Sequence, residues 1–243
     1  MVEYQSLKDI DDFLTKNPEL KQYKKMLVEF HKSSNFNLFF SKLKKTYFKD
    51  KDDKSILNEL ITAYNLKTIC EFHPIFMPEK DFDKNPEKLK QGSYMIFQMP
   101  SGVPTKDLAR IKTPDILVFF RGESFYVEIK TIEKEIKTFL PISQRIEKAI
   151  PQIENFGKGL IQIFCDDVSD YLTDNISSIE SEIITKLKDN KNIMGVLISY
   201  YHKIEDKKIS ENQSSKKYKK KTKFIINNNF EMIYKNSINK QRI

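Results

Sequence analysis

The chain has 243 residues, enough for one large domain with an accessory element, and 12% of them are aromatic, which excludes a wholly disordered protein. It shows neither an apolar stretch of membrane-spanning length nor a signal peptide, so we expect a cytoplasmic protein with no membrane partner. Cys70 and Cys165 lie in apolar runs and are expected to be buried thiols. The net charge of +8 is uneven, because residues 203–243 carry twelve Lys/Arg and four Asp/Glu, while residues 1–202 have 30 of each sign.

The N-terminal region, residues 1–54, is predicted to be helical. Asn17-Pro18 is a typical N-cap and first-turn pair for a helix that extends to about Ser33, and a second helix is predicted over residues 37–47. A third helix follows Ser55, where apolar residues recur at helical spacing on one side.

Two segments of different character follow this third helix. Residues 67–76 change to a β-rich pattern, with Glu71 on one of its faces. The proline-rich residues 77–112 are predicted to be an insertion made largely of loop. Because Arg110 lies where this insertion approaches the next strand, we expect it to contact nucleic acid.

Residues 114–131 predict an antiparallel hairpin. Its first strand is a continuous apolar run, typical of a strand that is covered on both faces, and a polar turn is expected at 121–124. On the second strand, Glu128 and Lys130 are two residues apart and therefore share one face. Asp115 begins the partner strand, and the expected turn puts it roughly two residue pairs beyond the level of Glu128.

The hairpin contains oxygen ligands of the kind that Mg²⁺ takes: two carboxylates and the backbone carbonyl of Ile129. A water beside such a metal can attack a phosphodiester, and Lys130 can lower the pKa of that water or stabilise the charge on the phosphate. The chain has seven acid-x-Lys triplets, of which only Glu128-Ile129-Lys130 lies in an apolar strand, and the single Pro-Asp dipeptide, Pro114-Asp115, precedes the partner strand. The alternative is an edge hairpin with a solvated face and an ordinary Glu–Lys pair.

Pro114-Asp115, twelve intervening residues and Glu128-Ile129-Lys130 resemble the motif of the PD-(D/E)XK nuclease superfamily, which has the restriction-endonuclease-like fold. The resemblance implies cleavage of nucleic acid, usually DNA, that depends on Mg²⁺, with Mn²⁺ as a substitute. It implies Asp115 and Glu128 as metal ligands and Lys130 as the residue that assists the attacking water. It also implies an acid on the preceding helix, for which Glu59 is the best match and Glu71 the runner-up.

The chain after the hairpin alternates helices and strands. A helix at 143–156, a strand at 159–165, a helix at 177–187 and a strand at 193–201 predict crossover connections and a parallel half of the sheet. Together with the hairpin, this pattern predicts an α/β protein with a central mixed β-sheet flanked by helices. The nuclease core is expected over residues 55–202.

Residues 203–243 are predicted to form a basic segment and a C-terminal hairpin of residues 224–227 with 230–234. A neutral body with one basic segment indicates an anionic partner, although a solvated lysine-rich loop has the same composition. Lysine contacts phosphate as a point charge and does not read bases well. The lysines expected to bind nucleic acid are Lys216, Lys217, Lys219, Lys220 and Lys221.

These features predict a Mg²⁺-dependent endonuclease of double-stranded DNA, and by analogy with the family a site-specific type II restriction endonuclease that acts as a homodimer. The alternatives are a repair, junction-resolving or RNA-cleaving member of the superfamily, and a non-catalytic nucleic-acid-binding protein. His31, His73 and His202 have no metal-ligand spacing, and no GxxxxGK[ST] loop is present, so we expect neither zinc nor a nucleotide cofactor.

Overall fold

The structure is a computed structural model that describes residues 6–33, 35–49, 54–77, 112–166, 170–204 and 217–227. The described strands are β1 (His73–Phe76), β2 (Ile116–Phe120), β3 (Glu123–Ile132), β4 (Gly159–Cys165), β5 (Ile193–Ile204) and β6 (Lys217–Ile226). The described helices are α1 (Leu7–Lys16), α2 (Lys24–Phe30), α3 (Phe36–Lys49), α4 (Ser55–Thr68), α5 (Leu140–Glu154) and α6 (Asp170–Leu187).

The six strands form one mixed sheet in the order β1-β2-β3-β4-β5-β6, and helices flank it, so the predicted α/β class is confirmed. By its internal contacts the chain divides into two compact units. The first comprises residues 1–127 with 155–157, and the second comprises residues 128–154 with 158–243. None of the described helices is long and apolar enough to cross a membrane.

The first unit has an aromatic core between its helices and β1. The Phe39 ring of α3 stacks on Phe76 of β1 at 4.1 Å between centroids, which anchors the strand to the helices. The N-terminal helices differ from the prediction, because α1 precedes Asn17 and a 3-10 helix, Pro18–Tyr23, separates it from α2. Asn17 ends α1 by donating its backbone N–H to Phe13, and Pro18 has no N–H to continue the helix.

The predicted β-rich run at residues 67–76 is largely wrong, since α4 continues to Thr68 and β1 contains four residues. Glu71 has a φ of 56°, in the left-handed region, which interrupts an extended backbone. The strand therefore begins only after Glu71. Cys70 lies in this turn and is exposed, contrary to the expected burial, whereas Cys165 in β4 is buried as expected.

The β2–β3 hairpin has a two-residue turn, and not the four-residue turn expected at 121–124. Phe120 pairs with Glu123, so that Arg121 and Gly122 alone form the turn. Both residues have positive φ, 49° and 81°, which matches the turn to the right-handed twist of the strands. The short turn changes the register of the whole hairpin.

The new register corrects the expected position of Asp115. Ile116 pairs with Val127, so Asp115 precedes and Glu128 follows this pair by one residue each. The expected offset of two residue pairs between the two acids is therefore wrong, because the turn is shorter than the sequence suggested.

The second unit contains the crossover that the sequence predicted. β4 and β5 are parallel and are joined through α6, and their inner side chains form one core with α5 and α6. α6 and β5 are both longer than expected, since they include residues 170–176 and 202–204.

The lysine-rich residues 217–223 belong to a strand. β6 pairs antiparallel with β5 over ten residue pairs and is the last strand in the sheet order. Lysine is depleted in strands generally, but an edge strand tolerates it at exposed positions, which is why the composition misled the prediction. The second strand of the predicted C-terminal hairpin, residues 230–234, lies outside the described residues.

Candidate active site

Glu128 and Lys130 form a buried ion pair on β3. Five consecutive residues, Phe125–Ile129, are buried, so both faces of the strand are covered there. The Lys130 ammonium donates a hydrogen bond to Glu128 Oε1, and the two side chains are 17% and 2% exposed. An ionised carboxylate buried to this extent needs a charged or hydrogen-bonding partner, and Lys130 provides it.

Gln152 of α5 completes this arrangement. Lys130 Nζ donates a second hydrogen bond to Gln152 Oε1 at 2.7 Å, which fixes the ammonium between a carboxylate and an amide. α5 buries a stripe of apolar residues that includes Ala149 and Ile153, and Gln152 is half-buried at the edge of that stripe. Sequence reasoning missed Gln152. The available signal was an amide beside the apolar stripe of the helix that directly follows the hairpin.

The backbone of Asp115 is held on both sides within the first unit. Its N–H donates to the Val127 carbonyl at 3.1 Å, and its carbonyl accepts from the Met77 N–H at 2.9 Å. The buried Pro114 precedes it, and the Asp115 residue is half-buried. Asp115 is thus positioned by Met77, which directly follows β1, and by Val127 in the middle of β3.

Glu59 is 7% exposed on α4 and forms an ion pair with Lys42 of α3 at 2.6 Å. It lies among the buried residues of α4, so it is inside the helical packing and not at its margin. The ion pair links α3 to α4, which is a structural role that Glu59 fulfils in the first unit. Glu71, the alternative acid, is exposed and precedes β1, so its expected place on a strand is wrong.

The donor set suits a hard cation. Within the described ranges, no three or more His, Cys, Asp or Glu side chains are grouped closely enough to hold a metal ion. A Mg²⁺ ion needs fewer protein ligands, because it keeps several waters, and two carboxylates with a backbone carbonyl are ligands of the oxygen type that it takes. Asp115, Glu128 and the carbonyl of Ile129 are residues of that chemistry, so they fit the group.

The lysines predicted to bind nucleic acid are described only in part. The side chains of Lys219, Lys220 and Lys221 are exposed on β6. Lys217 begins this strand, and only its backbone is described, while Lys216 and Arg110 lie outside the described residues.

No protein-family model matches the chain, and neither a curated protein nor a solved structure is significantly similar to it.

Proposed function

We propose that the protein is a Mg²⁺-dependent endonuclease that cleaves double-stranded DNA through a PD-(D/E)XK active site on a restriction-endonuclease-like core. The observation that carries the proposal is the buried pair of Glu128 and Lys130, with Gln152 as a second acceptor for the ammonium. A buried ion pair rarely makes a fold more stable than an apolar pair of similar volume would. A chemical role is therefore the better explanation for these charges in an apolar strand.

We infer that Asp115 and Glu128 would be the carboxylate ligands of the metal ion and that Ile129 would contribute its backbone carbonyl, as the resemblance to the PD-(D/E)XK motif implies. In the first unit, backbone hydrogen bonds to Val127 and Met77 hold Asp115 in place. In the second unit, the ion pair with Lys130 holds the Glu128 side chain in place.

A bound Mg²⁺ supplies a Lewis acid and an activated water for in-line attack on a phosphodiester. Glu128 holds the ammonium of Lys130 on the same face, where that charge is available to the attacking water or to the phosphate oxygens. Gln152 keeps the ammonium from rotating away from this position. Glu59 is the candidate acid on the preceding helix. For that role, its carboxylate would have to leave Lys42 and contact the substrate site instead.

We extend the proposal to a type II restriction endonuclease that acts as a homodimer. One active site cuts one strand, and a twofold pair of sites matches a palindromic target. The expected product of plasmid DNA is a set of discrete fragments, whereas a smear indicates a nonspecific nuclease of the same superfamily.

The test is incubation of plasmid DNA with the purified protein in Mg²⁺, in Mn²⁺ and in excess EDTA. Wild-type protein should cut with either metal and not with EDTA, and Lys130→Ala should not cut. The matched control is Lys137→Ala, because Glu135-Ile136-Lys137 repeats the same three residues with exposed charges. Cleavage in EDTA, or equal cleavage by both variants, would contradict the proposed active site.

A second candidate function is a nucleic-acid-binding protein without catalysis. It is favoured by β6, which contains five lysines and no acidic residue, so that a phosphate backbone can bind there without any reaction. This function requires no divalent metal, so undiminished DNA binding together with intact plasmid in Mg²⁺ would support it.

A further inference from the structure

The pairing of β6 with β5 divides the lysines between the two sides of the sheet. Ile225 is buried in the core with α5 and α6, and Lys223 forms an ion pair with Glu180 of α6 at 2.8 Å. Because side chains alternate, Lys219 and Lys221 are on this same helical side. Lys220 is on the opposite side of the strand. The lysines of β6 therefore lie on two different faces of the sheet and do not form one basic patch.

Lys220 lies over aromatic rings. Its ammonium is 4.8 Å from the ring centroid of Phe164 on β4 and 5.9 Å from that of Tyr201 on β5. Tyr201 is the direct cross-strand partner of Lys220, so the two share a face. Cation–π attraction holds the ammonium against the sheet, where it keeps a defined position beside the half-buried Tyr201 ring.

The same face exposes apolar side chains further along β6. Phe224 is 46% exposed and Ile226 is 41% exposed, although both are large apolar residues in a paired strand. Gly195 of β5 makes this position possible, because a Cβ at Gly195 would lie 2.8 Å from Phe224 Cε2. The phenylalanine ring thus lies against the backbone of β5 with nearly half of its surface open to solvent.

We propose that this aromatic–lysine face, formed by Tyr201, Lys220 and Phe224, binds single-stranded nucleic acid. Unstacked bases can rest on the exposed Phe224 ring and the half-buried Tyr201 ring, since every base has a flat π surface, and the Lys220 ammonium beside Tyr201 can contact a phosphate. β6 carries no acidic residue that would repel the backbone. The charge and the two rings together fit an anionic, aromatic ligand better than another protein surface.

The aromatic–lysine face does not depend on the proposed nuclease activity. Lys130 bonds to α5, and Ile132, two residues further along β3, packs in the same core as Ile225. Glu128 and Lys130 are therefore on the helical side of the sheet, and the aromatic–lysine face is on the other. A failure of one proposal leaves the other open to its own test.

The experiment measures fluorescence anisotropy of a labelled oligothymidylate with the full-length protein, in EDTA so that no cleavage occurs. Phe224→Leu keeps an apolar side chain against Gly195 but removes the flat ring, and binding should weaken about 5- to 150-fold, the range for one stacked base. Phe224→Tyr keeps the ring and should bind as wild type does. Thermal unfolding of each variant checks that the fold is retained.

The charge contact is tested with a pair of variants on one strand. Lys220→Gln should reduce the slope of log K against log salt by about 0.7, the value for one phosphate contact on a single strand. Lys223→Gln removes the same charge from the opposite face, where Lys223 is already paired with Glu180, and should leave the slope unchanged. Equal effects of the two substitutions would overturn the proposal. The role of the lysines would then be to protect an edge strand from pairing with another chain.

Two further outcomes would also overturn the proposal. One is wild-type protein that binds no oligothymidylate at low salt. The other is a wild-type protein that sediments as a dimer and becomes a monomer with Phe224→Leu, because a second copy of the chain would then cover this face.

Discussion

The chain contains the tripeptide Glu-Ile-Lys twice, seven residues apart, and the two copies have opposite environments. In Glu128-Ile129-Lys130 the charged side chains are 2% and 17% exposed. In Glu135-Ile136-Lys137 they are 58% and 73% exposed, and their ion pair at 2.8 Å lies at the surface. The first copy lies in the middle of a strand that is covered on both faces, and the second lies in the irregular connection between β3 and α5.

The comparison shows that the tripeptide itself carries no information about function. An exposed pair loses little when it is broken, because water solvates both charges. A buried pair depends on its partners, and Lys130 has two of them, Glu128 and Gln152. The environment of the first copy is what makes it a candidate site.

The largest expected difference between the copies is in catalysis. Glu128→Gln and Lys130→Ala should each lower the rate of Mg²⁺-dependent plasmid cleavage by at least about 100-fold, because each removes a group that stabilises charge at the reacting phosphate. Glu135→Gln and Lys137→Ala should cut at nearly the wild-type rate. Circular dichroism at the assay temperature verifies that all four proteins are folded. If either variant at 128 or 130 kept wild-type cleavage, the active-site assignment would be wrong.

The second difference is in stability. Lys130→Met should lower the free energy of unfolding by about 3–5 kcal/mol, because it leaves the buried Glu128 carboxylate without its cation. The double variant Glu128→Gln/Lys130→Met should recover part of that loss, since no buried charge remains. Lys137→Met should cost less than about 1 kcal/mol. Urea unfolding in metal-free buffer measures all three, and equal losses at the two lysines would contradict the burial argument.

The third test concerns Gln152, whose side-chain amide accepts a hydrogen bond from Lys130 of the buried copy. Gln152→Leu removes the second acceptor of Lys130 and should lower the cleavage rate about tenfold, as loss of such an outer partner typically does. Gln152→Glu keeps an acceptor oxygen, so it should restore much of the rate. Single-turnover cleavage of plasmid DNA in Mg²⁺ measures the rates of both variants. Equal rates for Gln152→Leu and wild-type protein would limit Gln152 to a packing role.

The exposed lysines of β6, a strand without acidic residues, should contribute to DNA binding through their charge alone. For a labelled DNA duplex, Lys219→Gln and Lys221→Gln should each reduce the slope of log K against log salt by about 0.9, without changing the cut site. Lys223→Gln is the control, because the charge of Lys223 is already balanced by Glu180, so that its attraction to a phosphate is weaker. A duplex slope that none of these variants alters would remove β6 from the DNA-binding surface.

The smallest expected effect is at another exposed pair, Glu147 and Lys186. The hydrogen bond and charge of Lys186 lower the pKa of the Glu147 carboxyl below its ordinary value. A lowered pKa in the folded state stabilises the protein above the pKa of the unfolded state, and that stabilisation is lost as the pH falls. Lys186→Met should therefore lower the melting temperature slightly at neutral pH and not in acid. NMR titration of Glu147 should show its pKa rise in this variant, and an unmoved pKa would show the pair to be absent in solution.

Local patterns in the sequence predicted much of the framework and part of the candidate site. The apolar runs on either side of Gly122 predicted the hairpin, and the alternation of helix and strand after it predicted the parallel pairing of β4 with β5. Apolar neighbours distinguished the first Glu-Ile-Lys from the other acid-x-Lys triplets, and in the structure Glu128 and Ile129 are buried while Lys130 is half-buried. Each of these features depends on residues that are close in sequence, so periodicity alone can reveal it.

What only the tertiary structure decided depends on residues that are distant along the chain or on the geometry of a single turn. Gln152 meets Lys130 across 22 residues because α5 folds back against β3. The register of Asp115 required the positive φ values of the two-residue turn, which composition alone did not distinguish from a longer one. The division of the lysines between two faces required the pairing of β6 with β5, because a run of lysines has no apolar alternation from which a strand and its faces can be inferred.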